Sequence, residues 1–152
     1  MSSLEPIEVR IIALVQPESP EENERDQNLV SRIVFREDLV PGLVGIEEFS
    51  HVSIIFWLHR MSESDKTLIH PGASSDLPVG IFATRAPVRP NPIGLTTVEL
   101  VKREGDTLWV RGFDAVDGTP ILDVKPYADW ANGRLQVISD FRIPDWLQEK
   151  IR

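Results

Sequence analysis

The chain predicts a mainly β fold, a barrel or a sandwich, and three observations predict it. Short apolar or alternating segments recur along its 152 residues, with no long helices between them. One of these segments, residues 50–59 (Ser-His-Val-Ser-Ile-Ile-Phe-Trp-Leu-His), is rich in the β-branched and aromatic side chains that fit a pleated surface. Two more, residues 95–101 and 107–113, alternate on either side of Glu104-Gly105-Asp106 and read as a hairpin. The expectation is a single small domain, residues 1–152, with short peripheral helices.

Taken in order, residues 7–15 begin with alternation and become wholly apolar, as a strand does when it passes from an exposed rim into a core. Residues 16–28, rich in Pro, Glu and Asn without periodicity, read as a loop. Residues 31–35 suit a short strand, Pro41-Gly42 a turn, and residues 43–49 one helical turn. In the strong strand at 50–59, period 2 puts His51, Ser53, Ile55, Trp57 and His59 on one face and Val52, Ile54, Phe56 and Leu58 on the other. Both faces are largely apolar, so the strand is expected to be central. Residues 62–76 read as a polar loop. After the hairpin come an acid-rich turn at 114–120, an apolar run from 121, a last strand at 135–138, and a short helix at 144–151 with Pro144 near its start.

The most constrained stretch is residues 80–101, where an apolar strand-like run at 79–83 leads into Pro87, Pro90 and Pro92 and the strand at 95–101 leads out. Each proline fixes its own φ and pushes the residue before it towards extended geometry, so the loop is stiff before anything binds. Arg85, Arg89 and Asn91 ride on it, and preorganised donors of this kind suit an anionic or nucleotide-like ligand, since little entropy remains to be lost. A rigid corner of a barrel is the alternative reading of the same prolines. Extended geometry puts the three polar side chains on one side; a polyproline helix does not. Gly94 is read as backbone freedom for a turn or a close approach to a ligand.

With 16 Lys+Arg against 24 Asp+Glu the net charge is −8, which argues against broad non-specific affinity for nucleic acid. The local sign differs: residues 84–97 carry two arginines and no acid. There is no cysteine, so disulfides and thiolate metal sites are excluded. His51 and His59 lie about 26 Å apart at the rise of a strand, and no histidine pair has ligand spacing, so no metal is expected. Neither a charged and apolar leader nor an apolar run near membrane length occurs, so a cytoplasmic protein is expected. No phosphate loop, nucleophile motif or Gly-x-Gly-x-x-Gly follows any strand. Asp114 and Asp117 beside Gly118-Thr119-Pro120 read either as a plain turn or as carboxylates and amides that hold a ligand's hydroxyl, amino or cationic groups. Lys125-Pro126-Tyr127 adds a cation and the only tyrosine, a surface on which a base can stack. Residue chemistry alone ends at a rigid β protein with a polar, arginine-bearing site.

Three stretches, however, closely resemble the TrmO/TsaA-like family over about residues 7–146. They are Gly45-Ile46-Glu47-Glu48-Phe49-Ser50-His51, the motif Ala83-Thr84-Arg85-Ala86-Pro87-Val88-Arg89-Pro90-Asn91-Pro92-Ile93-Gly94, and Asp117-Gly118-Thr119-Pro120-Ile121-Leu122-Asp123-Val124-Lys125-Pro126-Tyr127. Members known by function are S-adenosylmethionine-dependent methyltransferases acting on the exocyclic nitrogen of threonylcarbamoyl-adenosine next to the anticodon of certain tRNAs. The resemblance implies a small β-barrel that forms a homodimer, with the cofactor near the subunit interface. Carried over by position, it implies that Gln27, His59, Arg60, Arg85, Leu95, Asp114, Asp117, Gly118, Thr119 and Pro120 line the S-adenosylmethionine pocket. Arg89, Asn91, Lys125 and Tyr127 fall on the tRNA side, and Asp117 is the candidate general base. Two positions depart from the family: Arg25-Asp26-Gln27 stands where members carry Pro-Arg-Gln, and Gly72 where many carry arginine after His-Pro. The same pocket also suits a methyltransferase of small molecules or other RNA, or a non-catalytic module that binds the cofactor.

Overall fold

The computed structural model describes residues 4–17, 28–70, 77–128, 130–131, 134–135 and 142–150. In chain order the elements are β1 (Ala13–Pro17), β2 (Val30–Phe35), β3 (His51–Trp57), β4 (Leu68–Ile69), β5 (Val79–Gly80), β6 (Ile93–Glu104), β7 (Thr107–Arg111), β8 (Pro120–Pro126), β9 (Trp130–Ala131), β10 (Arg134–Leu135) and α1 (Asp145–Lys150). Short 3-10 helices occupy Glu37–Leu43, Ile46–Glu48 and Ile81–Ala83. The chain packs as two compact units, one of Met1–His59 with Ile93–Tyr127, the other of Arg60–Pro92 with Ala128–Arg152.

The first unit is the mainly β barrel that the sequence predicts. Its strands close in the order β1-β2-β7-β6-β3-β8, every pairing antiparallel. Closure leaves the barrel without an edge strand. The strand at the centre of the prediction, β3, pairs with β6 on one side and β8 on the other. Its alternation sorts the two faces: Val52, Ile54 and Phe56 point into the core, and His51, Ser53, Ile55 and Trp57 point outward. Val15, Ile33, Leu108, Val110 and Ile121 join them as buried side chains from the other strands. Each such side chain contributes on the order of 1.5–3 kcal/mol when fully removed from water.

Several boundaries differ from expectation, each for a local reason. The first strand runs over Ala13–Pro17 rather than 7–15. Pairing sets that start, because Ala13 stands opposite both Phe35, the last residue of β2, and Ile121 in β8. Upstream of it Ile7 and Val9 are exposed despite their alternation. The hairpin is as expected but longer on its first arm, with Gly105 in the turn at φ 58 and a register slip between Leu100 and Lys102. The expected turn of helix at 43–49 is a 3-10 turn at Ile46–Glu48, preceded by an unforeseen one at Glu37–Leu43 that buries Leu43.

In the second unit the expected loop at 62–76 contains β4, which pairs with β5. The run at 79–83 is not one strand: after β5 it turns into the 3-10 helix at Ile81–Ala83. The terminal helix α1 follows Pro144 as predicted. Of the strand expected at 135–138, Leu135 belongs to β10 and residues 136–138 lie outside the described residues. No helix among the described residues is long and apolar enough to cross a membrane.

Candidate functional site

The proline-rich loop of the second unit is held by hydrogen bonds that its own sequence supplies. Ile81, 1% exposed, anchors the start, its amide donating to the Thr67 carbonyl at 2.9 Å. The Thr84 hydroxyl donates to the Ile81 carbonyl at 2.9 Å and accepts from the Ala86 amide at 3.3 Å, which closes the turn. Nη1 of Arg89 then donates to the carbonyls of Thr84 at 3.0 Å and Ala86 at 3.1 Å. The Arg89 carbonyl accepts from the Ser64 amide at 3.1 Å, and Pro92 is buried at the loop's end.

The two arginines of the motif are thereby sorted. Arg89, expected on the substrate side, is half-buried and clasps the loop's backbone through Nη1. Arg85 is exposed and lines a cavity of about 670 Å³. Cavities that take small ligands run from roughly 300 to 1,000 Å³. The other walls of this one include Ile69, His70, Phe82, Trp146 and Leu147, and none of the described lining residues carries a carboxylate. Asn91 is exposed at the end of the loop, and Arg60 is exposed at the unit's start. Reading the sequence missed Phe82 and Trp146, taking one for the interior of a strand and the other for the apolar side of a helix. Phe82 escapes because the backbone leaves β5 for a 3-10 turn, which alternation of residue types does not reveal.

In the first unit, the 114–120 loop docks on β1. The Gly118 amide donates to the Val15 carbonyl at 2.9 Å, and the Val15 amide to the Thr119 carbonyl at 3.0 Å. Gly118 sits at φ 77, where a side chain is strained, and the space beside it is open. Thr119 is buried and its hydroxyl donates to the Val116 carbonyl at 2.7 Å, which supports the loop. Asp114 and Asp117 are exposed, and neither carboxylate has a hydrogen bond or ion pair among the described residues. Pro120 opens β8, and His59 lies in the turn after β3, its amide bonded to the Trp57 carbonyl at 2.9 Å. Leu95 stands outward on β6 opposite Ile55 and is 52% exposed.

Lys125 and Tyr127 fall near one another in sequence but have different partners. Lys125 pairs with Asp123 at 2.7 Å, whereas the exposed ring of Tyr127 meets His51 edge-on with centroids 6.3 Å apart. Gln27 lies outside the described residues. Among those residues the structure thus groups Arg85 with an aromatic-walled cavity, and Asp117 with Gly118, Thr119 and Pro120 on a loop fixed to β1.

Against known proteins, the chain matches the tRNA-methyltransferase O N-terminal domain over residues 15–132. It is 44% identical over 110 residues to a probable S-adenosyl-L-methionine-binding protein of Pyrococcus abyssi, an alignment covering 72% of this chain and 56% of that protein. It is 46% identical over 87 residues to the mouse tRNA (adenine(37)-N6)-methyltransferase, covering 57% of this chain and 20% of that enzyme. A crystal structure of TrmO from P. aeruginosa superposes with a TM-score of 0.71 at 29% identity, covering 95% of this chain and 63% of the other. The chain therefore spans little more than half the length of the archaeal relative and a fifth of the mouse enzyme.

Proposed function

Because this chain belongs to the tRNA-methyltransferase O N-terminal domain family, we propose that it transfers a methyl group from S-adenosylmethionine to a tRNA adenine. The acceptor is the exocyclic nitrogen of threonylcarbamoyl-adenosine next to the anticodon. One observation carries the reading: a loop made rigid by its prolines and by Arg89 presents Arg85 to a cavity of ligand size. The names of the relatives, which specify S-adenosylmethionine binding and tRNA adenine methylation, support the same chemistry.

The donor set fits this cofactor. Its carboxylate calls for a cation, and Arg85 on the cavity wall carries a fork of N–H donors. Its hydroxyls and ammonium call for acceptors, a role that Asp114 and Asp117 take by likeness of motif; neither carboxylate has a hydrogen bond or ion pair among the described residues. Gly118, with nothing beside its Cα, lets a ligand approach the backbone. The remaining family positions, Gln27, His59, Arg60, Leu95, Thr119 and Pro120, complete the assignment by likeness of motif. S-adenosylmethionine supplies a methyl carbon on a positively charged sulfur. Arg85 and the rigid loop contribute by holding the reactants in line, which accounts for most of what this reaction needs. Bound there, the sulfonium would give up its methyl group and keep the carbon–sulfur electron pair, and the acceptor nitrogen would have to lose a proton. Asp117 takes that proton in this reading. Asn91, Lys125 and Tyr127 contribute to the tRNA side, Tyr127 through its exposed ring.

The proposal extends to a homodimer in the cytoplasm. Ile93 and Leu95 are 43% and 52% exposed on the outer face of β6, opposite Trp57 and Ile55, and this apolar stripe suits a subunit contact. A second reading, a methyltransferase of a smaller acceptor or a cofactor-binding module, is favoured by the net charge of −8.

Calorimetric titration with S-adenosylmethionine, followed by methyl transfer to tRNA carrying the threonylcarbamoyl modification, tests the assignment. Binding and transfer are expected, and Arg85→Ala is expected to weaken binding by about 1.5–3 kcal/mol, as for loss of a charge-assisted hydrogen bond. Binding without transfer moves the function to the second reading. No binding by the unaltered protein overturns both.

A further inference from the structure

Ahead of β1, residues 7–11 read Ile-Glu-Val-Arg-Ile, and Ile7, Val9 and Ile11 are 88%, 57% and 47% exposed. The alternation is that of a strand with one apolar face. Among the described residues, however, backbone hydrogen bonds begin only at Ile12, whose amide donates to the Ile121 carbonyl at 2.9 Å and whose carbonyl accepts from the Arg36 amide at 3.0 Å. Glu8 and Arg10 are exposed between the apolar residues, and neither has a hydrogen bond or ion pair among the described residues. The matched family region begins at residue 15, so this arm lies ahead of it.

The order of residue types is symmetrical about Val9: apolar, acid, apolar, base, apolar. Two such arms laid antiparallel across a two-fold axis at Val9 place Val9 beside its own counterpart and Ile7 opposite Ile11. The same register sets Glu8 of each copy opposite Arg10 of the other, so two ion pairs form on one face and the apolar contacts on the other. Sliding to either neighbouring register that keeps the faces matched sets Glu8 against Glu8 or Arg10 against Arg10, and like charges directly opposite are destabilising. The charge pattern thus selects one partner, a second copy, and one register.

We propose that residues 7–11 of two copies of this chain pair antiparallel about Val9 as part of the contact between subunits. The inference rests on the homodimer reading above and not on the methyltransferase chemistry. Two strands this short are marginal alone in water, so the ribbon adds to a larger contact and fixes its two-fold symmetry.

The chain has no cysteine, so Val9→Cys in the full chain introduces its only thiol. In the proposed register the two thiols face each other within disulfide reach, whereas those of Glu8→Cys stand on a diagonal about 7–8 Å apart. With oxidised glutathione, Val9→Cys is expected to form a covalent dimer about tenfold faster than Glu8→Cys. Sedimentation equilibrium gives a second readout. Glu8→Arg alone and Arg10→Glu alone are each expected to weaken self-association about 5–100-fold, and an equimolar mixture of the two to recover it as a mixed dimer. Both positions are exposed, so these changes leave the core intact. Equal cross-linking at positions 8 and 9 overturns the proposal, since it means random collision of the arms. So does a mixture that associates no more tightly than either variant. An unaltered chain that sediments as a monomer overturns the arm pairing and the homodimer reading together. A dimer without preferential cross-linking at position 9 overturns the arm pairing alone.

Discussion

Gly94 shows how one position in a motif acquires its residue for a reason other than the obvious one. Inside a proline-rich stretch it reads as freedom for a turn or an approach to ligand, yet it lies in β6, opposite Phe56 in β3. A Cβ built there would fall on the Phe56 ring. That ring is buried and packs edge-on against Phe113 with centroids 5.1 Å apart, so it has little room to withdraw. Gly94→Ala is therefore expected to destabilise the barrel by about 1–3 kcal/mol, the usual result of overpacking. Urea denaturation measures this directly, and an unchanged midpoint would show that Phe56 can swing aside. Phe56→Leu, which removes the ring, is expected to make Gly94→Ala much less costly in the same assay, because the two residues act as one packing unit.

The elements differ in how far residue order could reveal them. β3 was legible because alternation, β-branching and aromatic content all agree, and a strand paired on both edges keeps both faces largely covered. The β6–β7 hairpin was legible because Gly105 supplies the φ 58 that its turn requires. The start of β1 was not, since alternation at residues 7–11 persists where no strand remains to pair with it. Within the candidate site, the stiffness of the proline loop was readable from its composition. The inward role of Arg89 was not, because nothing in one-dimensional spacing says which carbonyls a long side chain will reach. Its two bonds, to Thr84 and Ala86, tie together the backbone on either side of Arg85. Arg89→Ala is expected to speed hydrogen exchange at the Ala86 amide and to weaken S-adenosylmethionine several-fold, with barrel stability nearly unchanged. Slow exchange at Ala86 in the variant would mean that the prolines and Thr84 suffice to hold the loop.

For the molecule as a whole, the net charge of −8 sets the terms on which the proposed tRNA acceptor would bind. Long-range attraction to tRNA is weak or unfavourable at low salt, so affinity has to come from a few contacts close to the modified base. Residues 84–97 offer two arginines and no acid, but Nη1 of Arg89 is engaged with the loop, and Lys125 is paired with Asp123. A local surface of this kind meets about one to three phosphates at most. Each neutralised phosphate of single-stranded nucleic acid releases counterions, which gives a slope of roughly −0.7 per contact in log affinity against log salt. The expected slope is therefore about −0.7 to −2, measured by gel shift or anisotropy between 50 and 200 mM salt. Such a shallow dependence would mean that contacts to a base, not to the phosphate backbone, dominate selection of the proposed acceptor. A slope steeper than about −4 would require a broad basic surface that these residues do not form, and tRNA capture would then be assigned elsewhere on the protein. A slope near zero would exclude phosphate contact altogether and favour a small acceptor.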